Sequence, residues 1–306
     1  MGVQSAAGHP VYDGTFIPEI WSGKLVEKFY DATVFGEIAN TDYQGEIKGE
    51  GSKVNIRTRA DIIIRDYVKG QNLQIQRPES PNVELYVDKA KYFNCIVDDI
   101  DKHQSDIKLM NEWGNDAGEQ MKIKIDTQIL GDVYVDADSA NKGLTAGRKS
   151  ASFNLGATGS PVAVDKTNVL DCLVDIGTVM DEQNLPEQGR WIVLPSWMCG
   201  MLKKSDLKDA SMTGDAESVL RNGRVGRIDN LMIYKSNNLS SVTDGAYKAY
   251  NIIFGHRSAL TFAAQMTNME TLRAESTFGN LMRGLQVYGY EVIKKDAMGH
   301  FYARKA

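Results

Sequence analysis

The stretch Gly143-Leu-Thr-Ala-Gly147-Arg-Lys149-Ser150 carries the residue types of a phosphate-binding loop. In such a loop, amides beside the glycines cradle phosphate oxygens and a lysine neutralises them. The motif needs four residues between its glycines and a lysine directly after the second. Here there are three, and Arg148 intervenes, so a flexible loop is expected. Asp132, Asp136 and Asp138 suggest calcium. A calcium loop needs oxygen donors at alternating positions, glycine at the sixth and a terminal glutamate. Counted from Asp136, the fifth position is Ala140 and the sixth is Asn141, which leaves a solvated acidic turn.

The histidines are His9, His103, His256 and His300, and no two have the spacing of a metal site. No Gly-x-Ser-x-Gly elbow anchors a nucleophile. Cys95, Cys172 and Cys199 are far apart and odd in number, which predicts free, buried thiols. Arg221, Arg224 and Arg227, with Lys203, Lys204 and Lys208 upstream, form the one notable basic cluster. It lacks interleaved aromatics for base stacking, so a solvated loop or a rim of subunit contacts is expected. Lys69 reads as a lone lysine on a loop. No enzyme activity, cofactor or metal is expected.

The totals agree. The chain has 306 residues, 42% hydrophobic and 25% charged, with 35 basic and 40 acidic side chains for a net charge of -5. A chain that grips DNA by its phosphates usually has a basic excess. A container wall for DNA has no such need. No run approaches the roughly 18 apolar residues of a membrane span, and Met1 to Pro10 has no secretory pattern.

The organisation is more telling than the chemistry. Two extended segments, Gly51 to Arg59 and Val83 to Val97, are joined by far more residues than a turn needs. A lone strand pair is marginal in water, so this arm must lie on something. Within it, Ile62, Ile63 and Ile64 are bracketed by Arg59, Asp61, Arg65 and Asp66, an apolar run with charged gatekeepers that a partner would cover. Lys69 to Pro81 reads as a mobile tip. Upstream, Trp21, Phe29 and Phe35 lie on an arm that docks onto a surface.

From near His103 the period changes. Ile107, Met110, Gly114, Ala117, Met121 and Ile125 form one face of a helix about 40 Å long. Gly114 and Gly118 predict a close contact or a bend, and Trp113 sits beside the stripe, where its replacement by alanine would cost about 3–5 kcal/mol if it packs in the core and much less if the helix faces solvent there. Further on, the pattern predicts a helix over Val169 to Met180, a buried strand at Arg190 to Leu194 and a short helix at Ser196 to Lys204. It then predicts strands at Leu231 to Tyr234 and Asn251 to Phe254, and strand character from Glu270 to Lys305. The class is α+β. The expected divisions are an N-terminal arm (1–50), an extended loop (51–98), a long helix with its surroundings (99–160), an α/β block (161–267) and return strands (268–306).

This order resembles the Hong Kong 97-like fold of the major capsid proteins of tailed double-stranded DNA bacteriophages, from about Phe16 to Arg304. Gly189-Arg-Trp-Ile-Val-Leu-Pro-Ser-Trp197-Met resembles the strand and helix of its axial domain. Asp229-Asn-Leu-Met-Ile-Tyr-Lys-Ser-Asn237-Asn238-Leu resembles a later strand and turn. Phe254-Gly-His-Arg-Ser-Ala-Leu-Thr-Phe-Ala263 resembles the exit from that domain. Leu272-Arg-Ala-Glu-Ser276 and Arg283 to Lys295 resemble the final peripheral strands.

The resemblance implies a peripheral domain with a long spine helix, an axial domain, and a loop lying on the adjacent subunit. The partners it implies are first of all further copies of the chain. As pentamers and hexamers these close an icosahedral shell around DNA contacted non-specifically. A portal and a separate scaffolding protein follow, with room for a cementing or decoration protein and with no membrane. Met1 favours a separate scaffold over a removed segment. The virion is the expected location, after assembly in the host bacterial cytoplasm. Expected subunit contacts are Trp21, Phe29, Arg59, Ile62, Ile63, Ile64, Arg65, Asp66, Lys69, Arg221 and Arg224. The alternatives are a same-fold cellular nanocompartment shell and an enzyme with an unrecognised site.

Overall fold

A buried carboxylate organises the first described turn of the chain. The computed structural model describes residues 30–43, 53–58, 60, 62–80, 82–99, 109–205, 226–228, 230–275 and 277–306. The single turn α1 (Phe35–Ile38) has no side-chain cap of its own. Instead the amides of Val34 and Phe35 both donate to Asp126 Oδ1 at 2.9 Å. These are the orphan donors every helix start must satisfy.

Strand period then takes over. β1 (Lys53–Arg57) pairs antiparallel with β2 (Asn82–Tyr86), Lys53 opposite Tyr86 and Arg57 opposite Asn82. β3 (Lys89–Asp98) follows almost at once. The expected single return strand from Val83 to Val97 is therefore two strands in two sheets. The break has a cause. Val87 turns inward to join Ile56, Leu85 and Ala263 in a small apolar cluster. A Cβ at Gly289 would collide there with the Tyr86 carbonyl, so only glycine lets the arm's base cross the sheet this closely.

The long helix is described from Leu109 to Asp132 (α2), about 36 Å at 1.5 Å per residue. Its C-terminal half buries Ile125, Ile129 and Leu130. Gly114 does mark a close approach, since a Cβ there would lie 3.2 Å from Met282 Sδ; Gly118 has open space. Trp113 is 41% exposed, so of the two alternatives the helix faces solvent there. It stands beside the apolar stripe, turned outward. His103 and Ile107 lie outside the described residues.

The α/β block follows the sequence closely. β4 (Val162–Val164) leads to α3 (Val169–Glu182), which buries Leu173, Ile176, Val179 and Met180. All five residues of β5 (Arg190–Leu194) are buried, as a central strand covered on both faces requires. α4 (Ser196–Leu202) follows, then β6 (Arg227–Ile228), β7 (Leu231–Lys235), β8 (Ser241–Asp244) and β9 (Tyr247–His256). β10 (Leu260–Arg273), β11 (Gly279–Val292) and β12 (Met298–Lys305) complete the chain.

The large sheet has the order β4-β12-β9-β5-β7-β6, with β8 on β9, and the smaller one β10-β11-β3. Pairing is antiparallel except for β4 with β12 and β5 with β7. The segment expected as one set of return strands is thus shared: β11 belongs to the small sheet and β12 to the large one. β10 runs unbroken through residues 267 and 268. One core joins α2, α3 and both sheets.

Candidate functional site

The described residues between 58 and 80 leave the β1–β2 pair as a long excursion without regular ladders. Its two limbs are tied by side chains. The Ile63 amide donates to Gln76 Oε1 at 3.0 Å, and Arg65 donates to Gln74. Near the tip the Val68 amide donates to Gln71 Oε1, and Gln71 N to Val68 O. The excursion's apolar side chains face outward: Ile62 (69% exposed), Ile63 (60%), Ile64 (89%), Leu73 (78%) and Ile75 (98%), with Tyr67 and Val68 between. Arg65, Asp66 and Lys69 are exposed on the same excursion.

So the structure gathers Ile62, Ile63, Ile64, Arg65, Asp66 and Lys69 on one projecting element. Trp21, Phe29, Arg59, Arg221 and Arg224 lie outside the described residues. Tyr67, Val68, Leu73 and Ile75 were missed. The period-two spacing of Leu73 and Ile75 within a polar segment was the available signal.

A second apolar surface is the outer face of the small sheet. Successive side chains of a strand point to opposite faces. In β3, Tyr92, Asn94 and Ile96 face out, opposite Leu285, Arg283 and Leu281 of β11. Met282, Gly284, Tyr288 and Tyr290 take the buried face. The ring of Phe93 occupies the space that a Cβ at Gly284 would need. An Arg283–Glu270 ion pair at 2.7 Å spans the outer face. Sequence alternation had separated these two sets without saying which was inside.

The residues that suggested chemistry are used internally. Lys149 N and Ser150 N donate to Glu182 Oε2 at 2.8 and 3.1 Å. The phosphate-loop look-alike therefore binds the protein's own carboxylate, whose pKa those amides lower. The three aspartates diverge. Asp132 accepts from the Tyr290 hydroxyl, Asp136 pairs with Lys295 at 3.3 Å, and Asp138 accepts from Ala140 N. His256 is held by Ser258 and the Gln188 carbonyl. Burial pushes the His300 pKa down to about 4, and its Nε2 lies 3.1 Å from Asn251 Oδ1. Burial raises the Cys172 and Cys199 thiols to about 11, which makes them poor nucleophiles. Among the described residues no His, Cys, Asp and Glu group is placed to hold a metal, and no helix is long and apolar enough to cross a membrane.

A family model described as phage capsid protein matches residues 81–301, more than half of the chain. A solved chain from Mycobacterium phage Che8 is 27% identical, with a TM-score of 0.78 over 95% of this chain and 98% of that one. The capsid structure of the cyanophage P-SCSP1u shares the fold at 15% identity, with a TM-score of 0.70 over 95% and 94% of the two chains. The capsid of a native GTA particle does so at 13% identity, with a TM-score of 0.64 over 96% and 97%. No curated protein sequence matches the chain.

Proposed function

The chain belongs to the phage capsid protein family, and from that premise we propose how it closes a shell. It is a major capsid protein of the Hong Kong 97-like fold, a structural protein and a component of the virion. In our reading copies associate as pentamers and hexamers, and the excursion of residues 58–81 is completed by an adjacent copy. The observation that carries this is seven large apolar side chains exposed between Ile62 and Ile75. Monomers rarely leave such a patch bare.

Magnitudes favour a weak, repeated contact. Covering one such side chain contributes about 1.5–3 kcal/mol. Fixing one loop residue costs about 1–2 kcal/mol. Over fourteen residues with seven apolar side chains the ordering cost is at least as large as the gain, so a single docked loop is reversible. Closure then comes from several contacts per subunit acting together.

The same reading assigns residues 1–50 to an arm, 51–98 to the extended loop, and 99–160 to a spine helix and peripheral domain. It gives 161–267 to an axial domain and 268–306 to return strands, β12 excepted, because that strand pairs with β9 in the large sheet. Trp21, Phe29, Arg59, Ile62, Ile63, Ile64, Arg65, Asp66, Lys69, Arg221 and Arg224 are proposed subunit contacts. A scaffolding protein, a portal and a decoration protein are proposed partners, packaged DNA is touched without sequence preference, and assembly takes place in the host cytoplasm. No catalytic step is proposed.

Deleting residues 60–82 tests this reading. The variant should fold, since the main core lies elsewhere, yet form no closed shells by negative-stain microscopy. Normal particles from the deletion would refute the loop's role.

A further inference from the structure

Tyr30, the first described residue, lies against α2. Its hydroxyl donates to Asp116 Oδ1 at 2.8 Å. Four residues later the amides of Val34 and Phe35 reach Asp126 on the same helix. Ten helical residues advance about 15 Å, and four extended residues span about 13–14 Å. Residues 30–34 therefore run nearly straight along α2, in the direction of the helix. The chain before Tyr30 enters from the N-terminal end of α2.

That end of the helix is acidic along one row and apolar beside it. Glu112 lies one turn before Asp116, about 6 Å along the axis, and Glu119 about one turn after it. The hydrogen bond to Asp116 raises the Tyr30 pKa, and some desolvation and the charges of Asp116, Glu119 and Glu112 add to it. The hydroxyl thus sits within reach of all three carboxylates. Glu119 is paired with Lys122 at 2.6 Å, and Glu112 is exposed. Trp113 is 41% exposed. A helical side chain covers the turn before its own Cα, so the Trp113 ring extends toward the helix start.

Residues 1–29 lie outside the described residues, but the sequence leading into Tyr30 is Lys24-Leu-Val-Glu-Lys28-Phe29. Alternate residues of an extended chain share a side. With Tyr30 facing α2, Lys28, Val26 and Lys24 take the same side, and Phe29 and Leu25 the other. Lys28 is two residues from Tyr30, about 7 Å along an extended chain, and Glu112 is about 6 Å from Asp116. The two spacings match, and so do the charges. We propose that residues 24–28 continue along α2 as an extended strap, with Lys28 paired to Glu112 and Val26 against the exposed edge of Trp113. The occupant is this chain's own segment, because two residues of chain tether Lys28 to the Tyr30–Asp116 contact. The outer side of the strap then holds Phe29 ready for an adjacent copy. That outer role rests on the shell reading, and the strap itself does not.

Photo-cross-linking tests this on unassembled full-length chain, at low concentration, with p-benzoylphenylalanine in place of Trp113 and the adduct located by mass spectrometry. No shell forms, so the outcome is independent of the loop's role in assembly. An intrachain adduct within residues 24–28 is expected, at the mass of one subunit. Lys28→Glu sets two carboxylates together and should cut the yield about fivefold, and adding Glu112→Lys should restore it. Trypsin on the unaltered chain gives a second reading that needs no substitution. Cleavage after Lys28 should be at least about tenfold slower than after the exposed Lys69. An adduct to a second chain would give the surface to a neighbouring subunit and overturn the strap. Adducts elsewhere in the chain, no adduct, a yield indifferent to Lys28→Glu, or equal cleavage after Lys28 and Lys69 would overturn it as well.

Discussion

Asp126 is 0% exposed and accepts three hydrogen bonds. Two come from the Val34 and Phe35 amides at 2.9 Å, and the third from Asn238 Nδ2 at 2.8 Å. One side chain thereby ties the segment entering α1, the long helix and the turn after β7. Asp126→Ala strands all three donors in a buried site. Each unpaired buried donor costs about 1–3 kcal/mol, and water entering the space left by the carboxylate would recover part of that. A net loss of about 3–6 kcal/mol is expected. Asp126→Asn keeps one oxygen for the two amides but sets an NH₂ against the Asn238 amide, so about 1–3 kcal/mol is expected. Urea unfolding of unassembled subunits at constant m-value measures both. Burial raises the Asp126 pKa against the pull of its hydrogen bonds. With the folded pKa above the unfolded value, the folded state binds the proton more readily. Its contribution is then fullest below the unfolded pKa and is lost as pH rises through the folded pKa. The wild type's margin over Asp126→Asn should therefore widen from pH 7 toward pH 4. A loss below about 1 kcal/mol for the alanine variant, or a margin that narrows in acid, would refute the reasoning.

Trp113, 41% exposed, should lose only about 1–2 kcal/mol on replacement by alanine, against the 3–5 kcal/mol of a buried tryptophan; urea unfolding distinguishes the two. His300 has a folded pKa of about 4, below the ordinary 6.5. Its neutral form stabilises the fold at neutral pH, and that contribution is lost as pH falls from 6.5 toward 4, by about 2–3 kcal/mol. His300→Gln should lack that part of the acid-unfolding slope, and an unchanged slope would show that another group sets it.

Periodicity read the α/β block well because each element there carries its own signal. The α3 stripe from Leu173 to Met180 and the uninterrupted apolar run of β5 needed no tertiary information. What failed was partnership. Val83 to Val97 has strand character throughout, but nothing local says that Val87 turns inward or that β3 joins β11. β12 reads as a strand in any register, and its place beside β9 depends on chain distant in sequence. Alternation along β11 separated Leu281 and Leu285 from Met282 and Tyr288. The inside was set by what α2 covers, so the leucines remained outside. The apolar excursion was legible at Ile62 to Ile64, where three isoleucines adjoin. It was missed at Leu73 and Ile75, where polar neighbours dilute the signal.

The central claim is that the loop between β1 and β2 is completed by another copy of the chain. Cryo-EM of shells assembled from the full-length protein, with any helper it requires, tests this most directly. The account predicts density for residues 62–75 against an adjacent subunit, with Ile64 and Ile75 covered there. A loop folded against its own subunit, or standing free in solvent within a closed shell, would contradict it.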